Sequence, residues 1–200
     1  MLSEFLRQFV TDQRKARFDQ VLAQRTRHIT VVLENLFHDH NASACLRTCD
    51  CFGLQDVYIA ESNNEFDANP DIALGSNKWL TLNHFQTPGQ VDYGDTRATQ
   101  KCIATLKERG YRIYATSPLQ DSRPVSEIPV DEPTAVIFGS EVSGVSEYAM
   151  QEADGLVCVP MYGFTESFNV SVSVALVLQQ LTQKMRDADI AWQLLSLIHI

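Results

Sequence analysis

No run of apolar residues in this 200-residue chain approaches the roughly 18 that a membrane-spanning helix needs, so such a helix is excluded. The opening Met-Leu-Ser-Glu-Phe-Leu-Arg-Gln carries charge early and has no apolar core, which argues against a secretory signal peptide. The expected compartment is the cytoplasm. Cysteine is sparse, five in all (Cys45, Cys49, Cys51, Cys102, Cys158), with no C-x-x-C pair. Cys45, Cys49 and Cys51 cluster inside an apparent helix and read as structural thiols. His38-Asp39-His40 lacks a second ligand cluster and reads as a solvated loop, so no metal is expected. No G-x-G-x-x-G is present, which removes the common dinucleotide fingerprint. Gly139-Ser-Glu-Val-Ser-Gly144 has P-loop-like glycine spacing but no following Lys-Ser/Thr to grip phosphate and Mg²⁺. Positive charge is short too: 16 Lys and Arg against 25 Asp and Glu give a net charge of −9.

That shortage is uneven. Residues 1–30 hold Arg7, Arg14, Lys15, Arg17, Arg25 and Arg27 against only Glu4, Asp12 and Asp19. A basic N-terminal arm on an acidic body can contact a phosphate backbone locally. A solvated amphipathic helix explains the same charges equally well.

The hydrophobic fraction of 44% suits one folded domain. Apolar residues recur at helical spacing over 3–25, a helix. Ile29–Leu33, Val57–Ala60, Trp79–Leu82, Arg112–Thr116, Thr134–Phe138 and Leu156–Val159 read as strands. A helix begins at Asn41 and is stopped by Gly53, and another runs from Thr99 to Arg109 with Gly110 after it. Residues 61–78 read as loop. Val170-Ser-Val-Ser-Val174 alternates like a strand, yet Val170, Val174, Val177, Leu178, Leu181 and Met185 form a helical stripe, and its length favours a helix capped by Ser167 or Asn169. Strands alternating with helices predict an α/β fold with a mostly parallel sheet. Leu195–Ile200 reads as a translated sequencing adapter, and the natural chain is expected to continue differently after Leu194.

Three segments carry the chemistry. They are Asn41-Ala-Ser-Ala-Cys-Leu-Arg47-Thr-Cys-Asp-Cys-Phe-Gly53, Val136-Ile-Phe-Gly-Ser-Glu141-Val-Ser-Gly144, and Val159-Pro-Met-Tyr-Gly-Phe-Thr-Glu-Ser-Phe-Asn-Val-Ser-Val-Ser-Val174. In this order the set resembles the three motifs of the SpoU/TrmH family of RNA ribose 2′-O-methyltransferases, members of the SPOUT superfamily. The resemblance spans about residues 20–186. It implies an α/β sheet with a deep C-terminal trefoil knot, preceded here by an N-terminal helical extension. The domain limits it implies are an extension at 1–26, a methyltransferase domain at 27–186 and a tail at 187–200. S-adenosylmethionine (SAM) is the implied cofactor, RNA the substrate and a homodimer the active unit.

By the same resemblance Arg47 is the key catalytic residue, with Asn41, Glu141, Ser167 and Asn169 around it. Thr116, Val159 and Phe168 fall where the family contacts SAM, with Gly139 and Met161 in the same pocket. Arg47 follows Asn41 by six residues, about 600° of helix, which leaves the two side chains roughly 120° apart. Asn41 is therefore expected at the loop-to-helix junction. A family proposal makes the arginine a general base. Guanidinium keeps its proton in proteins, which favours orienting phosphate and hydroxyl and stabilising the developing oxyanion. Phe168 stands where leucine is commoner, and Val142-Ser143 replaces a Lys-Thr or Lys-Glu pair. The basic extension resembles the branch that modifies guanosine-18 of the tRNA D-loop, with Arg7, Arg14, Lys15, Arg17, Arg25 and Arg27 as RNA contacts. Methylation of ribosomal RNA or of another tRNA position, and a non-catalytic RNA-binding relative, are the rival readings.

Overall fold

The computed structural model describes residues 7–36, 38–62, 73–87, 94–118 and 121–194. Seven strands form one parallel sheet in the order β3-β2-β1-β6-β4-β7-β5. They are β1 (Ile29–Glu34), β2 (Asp56–Glu61), β3 (Thr81–Gln86), β4 (Arg112–Thr116), β5 (Arg123–Pro124), β6 (Thr134–Phe138) and β7 (Gly155–Cys158). Every residue of β1, β2 and β6 is buried. That is the condition of a parallel sheet covered on both faces, and it explains why these strands read as continuous apolar runs.

Five α-helices occur among the described residues: α1 (Asp12–Leu22), α2 (Asp39–Cys51), α3 (Arg97–Glu108), α4 (Glu147–Glu152) and α5 (Val170–Asp187). The pleat sends Ile29, Val31 and Leu33 to one face, where Cys45, Leu46 and Cys49 of α2 meet Val174, Val177, Leu178, Leu181 and Met185 of α5. Val32 points the other way, to Ala98, Cys102, Ile103 and Leu106 of α3 and Ala149 of α4. Leu178, Leu181 and Met185 are fully buried, each worth about 1.5–3 kcal/mol relative to exposure. Gly53 ends α2 in the left-handed region (φ +82°), and a Cβ there would meet the Gln24 carbonyl oxygen at 2.6 Å.

Several boundaries differ from the sequence reading. The helix expected over 3–25 is interrupted: Thr11, in extended conformation, caps a new helix by accepting from the Arg14 amide, and that helix ends at Leu22. Residues 3–6 lie outside the described residues, as do 63–72 of the expected loop and 195–200. Trp79 closes a 3-10 turn at Ser76–Lys78, and the strand starts only at Thr81, where pairing with Asp56 of β2 begins. The strand expected at Leu156–Val159 sits one residue earlier. The short β5 and α4 were not anticipated. Residues 188–194 do not trail away. Thr26 pairs with Gln193, the Thr26 hydroxyl donates to the Trp192 carbonyl at 2.6 Å, and the Arg186 guanidinium lies 5.6 Å from the Trp192 ring centre. No described helix is long and apolar enough to cross a membrane.

Candidate active site

A parallel sheet exposes its functional surface where the strand order reverses, outside the carboxyl ends of the strands. Here the order reverses beside β1. On the β6 side of that reversal, the turns leaving the neighbouring strands β6, β4 and β7 converge on a cavity of about 670 Å³, within the range of small-molecule and cofactor sites. Thr116, Gly139, Val159, Met161 and Phe168 all line it, together with Glu141, Ser167 and Asn169. Ser117, Pro118, Ser140 and Glu166 line it too and were not singled out in the sequence. Ser117 and Pro118 directly follow β4, so the carboxyl-end rule applied strand by strand would have found them.

The loop after β6 is a tight backbone structure. A Cβ on Gly139 would lie 2.0 Å from the Gly144 carbonyl carbon and oxygen and 2.2 Å from the Val145 nitrogen, so only glycine fits. The Gly144 amide donates to the Ser140 carbonyl at 2.9 Å, with Gly144 in the left-handed region at φ +69°. The Ser143 amide donates to the Ser140 hydroxyl oxygen at 3.1 Å. Close packing of the two ends turns the intervening backbone toward the cavity.

Asn41 ties the loops together. Its side-chain nitrogen donates to Glu141, and its amide oxygen accepts from the Asn169 side chain at 3.1 Å. The Asn169 oxygen accepts from the amide and hydroxyl of Ser171 at 2.9 and 2.7 Å, capping α5. One buried amide thus joins α2, the β6 loop and the start of α5. Asn41 sits inside the first turn rather than at its junction, because α2 begins at Asp39. Cys45 lies one turn further on. Burial, and then the charge of Glu141, push its thiol up to about 12.

Arg47 stands apart. It is exposed, lies off the cavity wall and makes no hydrogen bond or ion pair among the described residues. Six helical positions carry it about 9 Å along α2 from Asn41 and onto a different face. Arg47 therefore lies apart from the Asn41 cluster.

The basic residues of the arm separate by environment. Arg25 is 3% exposed; it donates to the Leu54 carbonyl and pairs with Asp50. This corrects the RNA-contact reading for Arg25, whose guanidinium is consumed inside the fold, where a buried charge must be paired. Arg27 bonds the buried Asp56 at 2.9 Å. Arg7 pairs with Asp19, and Lys15 with Asp12 at 2.8 Å. Arg14 and Arg17 are exposed on α1, Arg14 over the Phe18 ring and Arg17 bonded to Gln20. No group of three or more His, Cys, Asp or Glu residues that could hold a metal ion occurs among the described residues.

The model of the SpoU rRNA methylase family matches residues 28–179. A tRNA (guanosine(18)-2′-O)-methyltransferase from Borreliella burgdorferi is 39% identical, over 94% of this chain and 82% of that protein. The crystal structure of the Aquifex aeolicus TrmH/SpoU tRNA modifying enzyme superposes with a TM-score of 0.73 at 32% identity, covering 88% of this chain and 84% of that one. The AviRb SpoU methyltransferase from Streptomyces viridochromogenes, solved in complex with AdoMet, shares the fold at a TM-score of 0.65 and 16% identity, over 84% of this chain and 62% of that one.

Gly139→Ala is expected to lower stability to urea by about 1–3 kcal/mol, because the new methyl overpacks fixed backbone. Gly163→Ala, whose Cβ meets its nearest atom at 4.0 Å, should be near neutral. Equal effects at the two positions would contradict the loop geometry.

Proposed function

The chain belongs to the SpoU rRNA methylase family, and we propose that it is a cytoplasmic, SAM-dependent enzyme that methylates the ribose 2′-OH of guanosine-18 in the tRNA D-loop. The observation that carries this reading is the match along nearly the whole chain to a relative named for that reaction. The family model's name points to ribosomal RNA. The tRNA assignment is preferred because both the 39% identical relative and the 32% identical solved structure carry tRNA in their names.

The cavity suits the cofactor on its own chemistry. Val159, Met161 and Phe168 offer apolar surface for a purine. The loop from Gly139 to Val145 forms one wall, and Glu141 and Glu166 supply carboxylates for a cationic ligand. SAM supplies a methyl group already activated by a sulfonium, so in-line placement of the 2′-oxygen accounts for much of the rate. Asn41 and Asn169 fix the loops that define that placement. Ser167, on the cavity wall, can hydrogen-bond the incoming ribose. Arg47 holds a phosphate and stabilises charge developing on the 2′-oxygen as the hydroxyl proton leaves to water. The reaction as written calls for no metal ion.

The active unit is a homodimer in this reading. Arg47 lies away from the cavity of its own subunit, and Val142, Tyr162, Phe164, Phe168 and Val172 stand exposed on the two cavity loops and the first turn of α5. A second copy would cover these side chains and bring another Arg47 toward the site. A trefoil knot is inferred on similar grounds. The chain returns from β5 at the sheet edge to insert β6 between β1 and β4, then β7 between β4 and β5. Repeated insertion of this kind is what a threaded chain requires. Arg14 and Arg17 are the best-placed tRNA contacts of the arm, whereas Arg7 and Lys15 already have carboxylate partners.

Light scattering is expected to give twice the chain mass. Arg47→Ala should cut methyl transfer by about 10²–10³-fold and leave SAM binding by calorimetry unchanged. A fully active monomer, or lost SAM binding in the variant, would contradict the role. Neutralising Arg14 and Arg17 together should weaken tRNA binding and flatten its salt dependence by up to about two phosphate contacts. An unchanged salt slope would make α1 a packing helix only.

A further inference from the structure

The β6 loop is held at its far end by a group that the three motifs do not contain. Glu34, the last residue of β1, is 2% exposed and forms no ion pair among the described residues. One carboxylate oxygen accepts from the Ser146 amide at 2.9 Å; the other accepts from the Ser146 hydroxyl at 2.8 Å and the Thr99 hydroxyl at 2.6 Å. Ser146 in turn accepts from the Ala149 amide at 3.2 Å, capping α4. Ser146 directly follows Val145, where the cavity-lining stretch from Phe138 to Val145 ends.

A carboxylate buried without a cation is costly unless hydrogen bonds stabilise it. Among the described residues its donors come from two elements: α3, through Thr99, and the residue that closes the cavity loop. A strand core position needs no such group, since Val32 on the same face of β1 is served by an apolar contact. What the carboxylate adds is a fixed distance between the end of β1 and the end of the loop. The loop's other fixed points are the close approach of Gly139 to Gly144 and the bond from Asn41 to Glu141.

We propose that Glu34 is a positioning residue for the cofactor: by gripping both the amide and the hydroxyl of Ser146 it sets the shape of the Gly139–Val145 loop against which SAM binds. This rests on the SAM-dependent reading above. Glu34 touches neither cofactor nor ribose and acts through Ser146.

The test compares steady-state methyl transfer at varied SAM with melting temperature. Glu34→Met keeps the length and removes every acceptor. It should raise the KM for SAM about tenfold, the cost of leaving the Ser146 donors unpaired, with kcat at saturating SAM within about twofold. Glu34→Gln retains an oxygen for the Ser146 amide and should restore most of the affinity. Thr99→Val breaks only the α3 bond and should lower the melting temperature without moving the KM for SAM. A wild-type KM for SAM in Glu34→Met would overturn the proposal, as would an equal rise in Thr99→Val. If Glu34→Met does not fold, Ser146→Ala takes its place, with a several-fold rise in KM expected and an unchanged KM contradicting the role. Wild-type protein that binds no SAM would instead overturn the reading on which this rests.

Discussion

The side-chain amide of Asn41 is the joint on which the site depends. It has one donor group and one acceptor group, and both are engaged by residues far away in sequence, Glu141 and Asn169. An aspartate could not donate to Glu141, and a leucine could do neither. Through it the first turn of α2, the loop after β6 and the N-cap of α5 share one geometry. A buried network of this kind is demanding, because each member left unpaired costs desolvation without return. It also fixes the relative placement of the cavity wall and the helix that carries Arg47.

Everything else is arranged by the parallel sheet. Parallel strands end on the same side, so the turns after β4, β6 and β7 meet at one cavity. Glycine then decides how close the backbones come: Gly139 has no space for a Cβ, and Gly144 needs a positive φ. The chemistry thus comes from backbone shape and a few polar side chains, in keeping with a chain that lacks the usual phosphate-gripping glycine motifs.

Much of this was legible in the sequence, and the exceptions have physical reasons. Strands buried on both faces, such as Thr134–Phe138, declare themselves as β-branched and apolar runs. Of β3 only Thr81 and Leu82 fell within the run read as a strand, because it lies at an edge and carries Asn83, His84 and Gln86 among positions none of which is buried. Its start is set by pairing with β2 rather than by composition. Thr116, Gly139, Val159, Met161 and Phe168 were brought to one pocket by the family resemblance rather than by composition, and the structure lines one cavity with all five. Arg25 was misread because its burial depends on Asp50 and the Leu54 carbonyl, and such long-range pairing leaves no local signature. Glu34 was invisible for the same reason: at the end of an apolar strand it looks like a solvent-facing terminus. The docked segment at 188–194 is held by Thr26, more than 150 positions earlier.

If this cavity serves methyl transfer to one ribose hydroxyl of tRNA, removing that hydroxyl must abolish the product. The most direct measurement uses two synthetic tRNAs that differ in a single atom, one with guanosine and one with 2′-deoxyguanosine at position 18. Purified protein and radiolabelled SAM should methylate the first to about one methyl per tRNA, mapped to that ribose by nuclease digestion and mass spectrometry. The second should stay unlabelled while binding with similar affinity. Equal labelling of both, or a methyl mapped to a base or another nucleotide, would contradict the account.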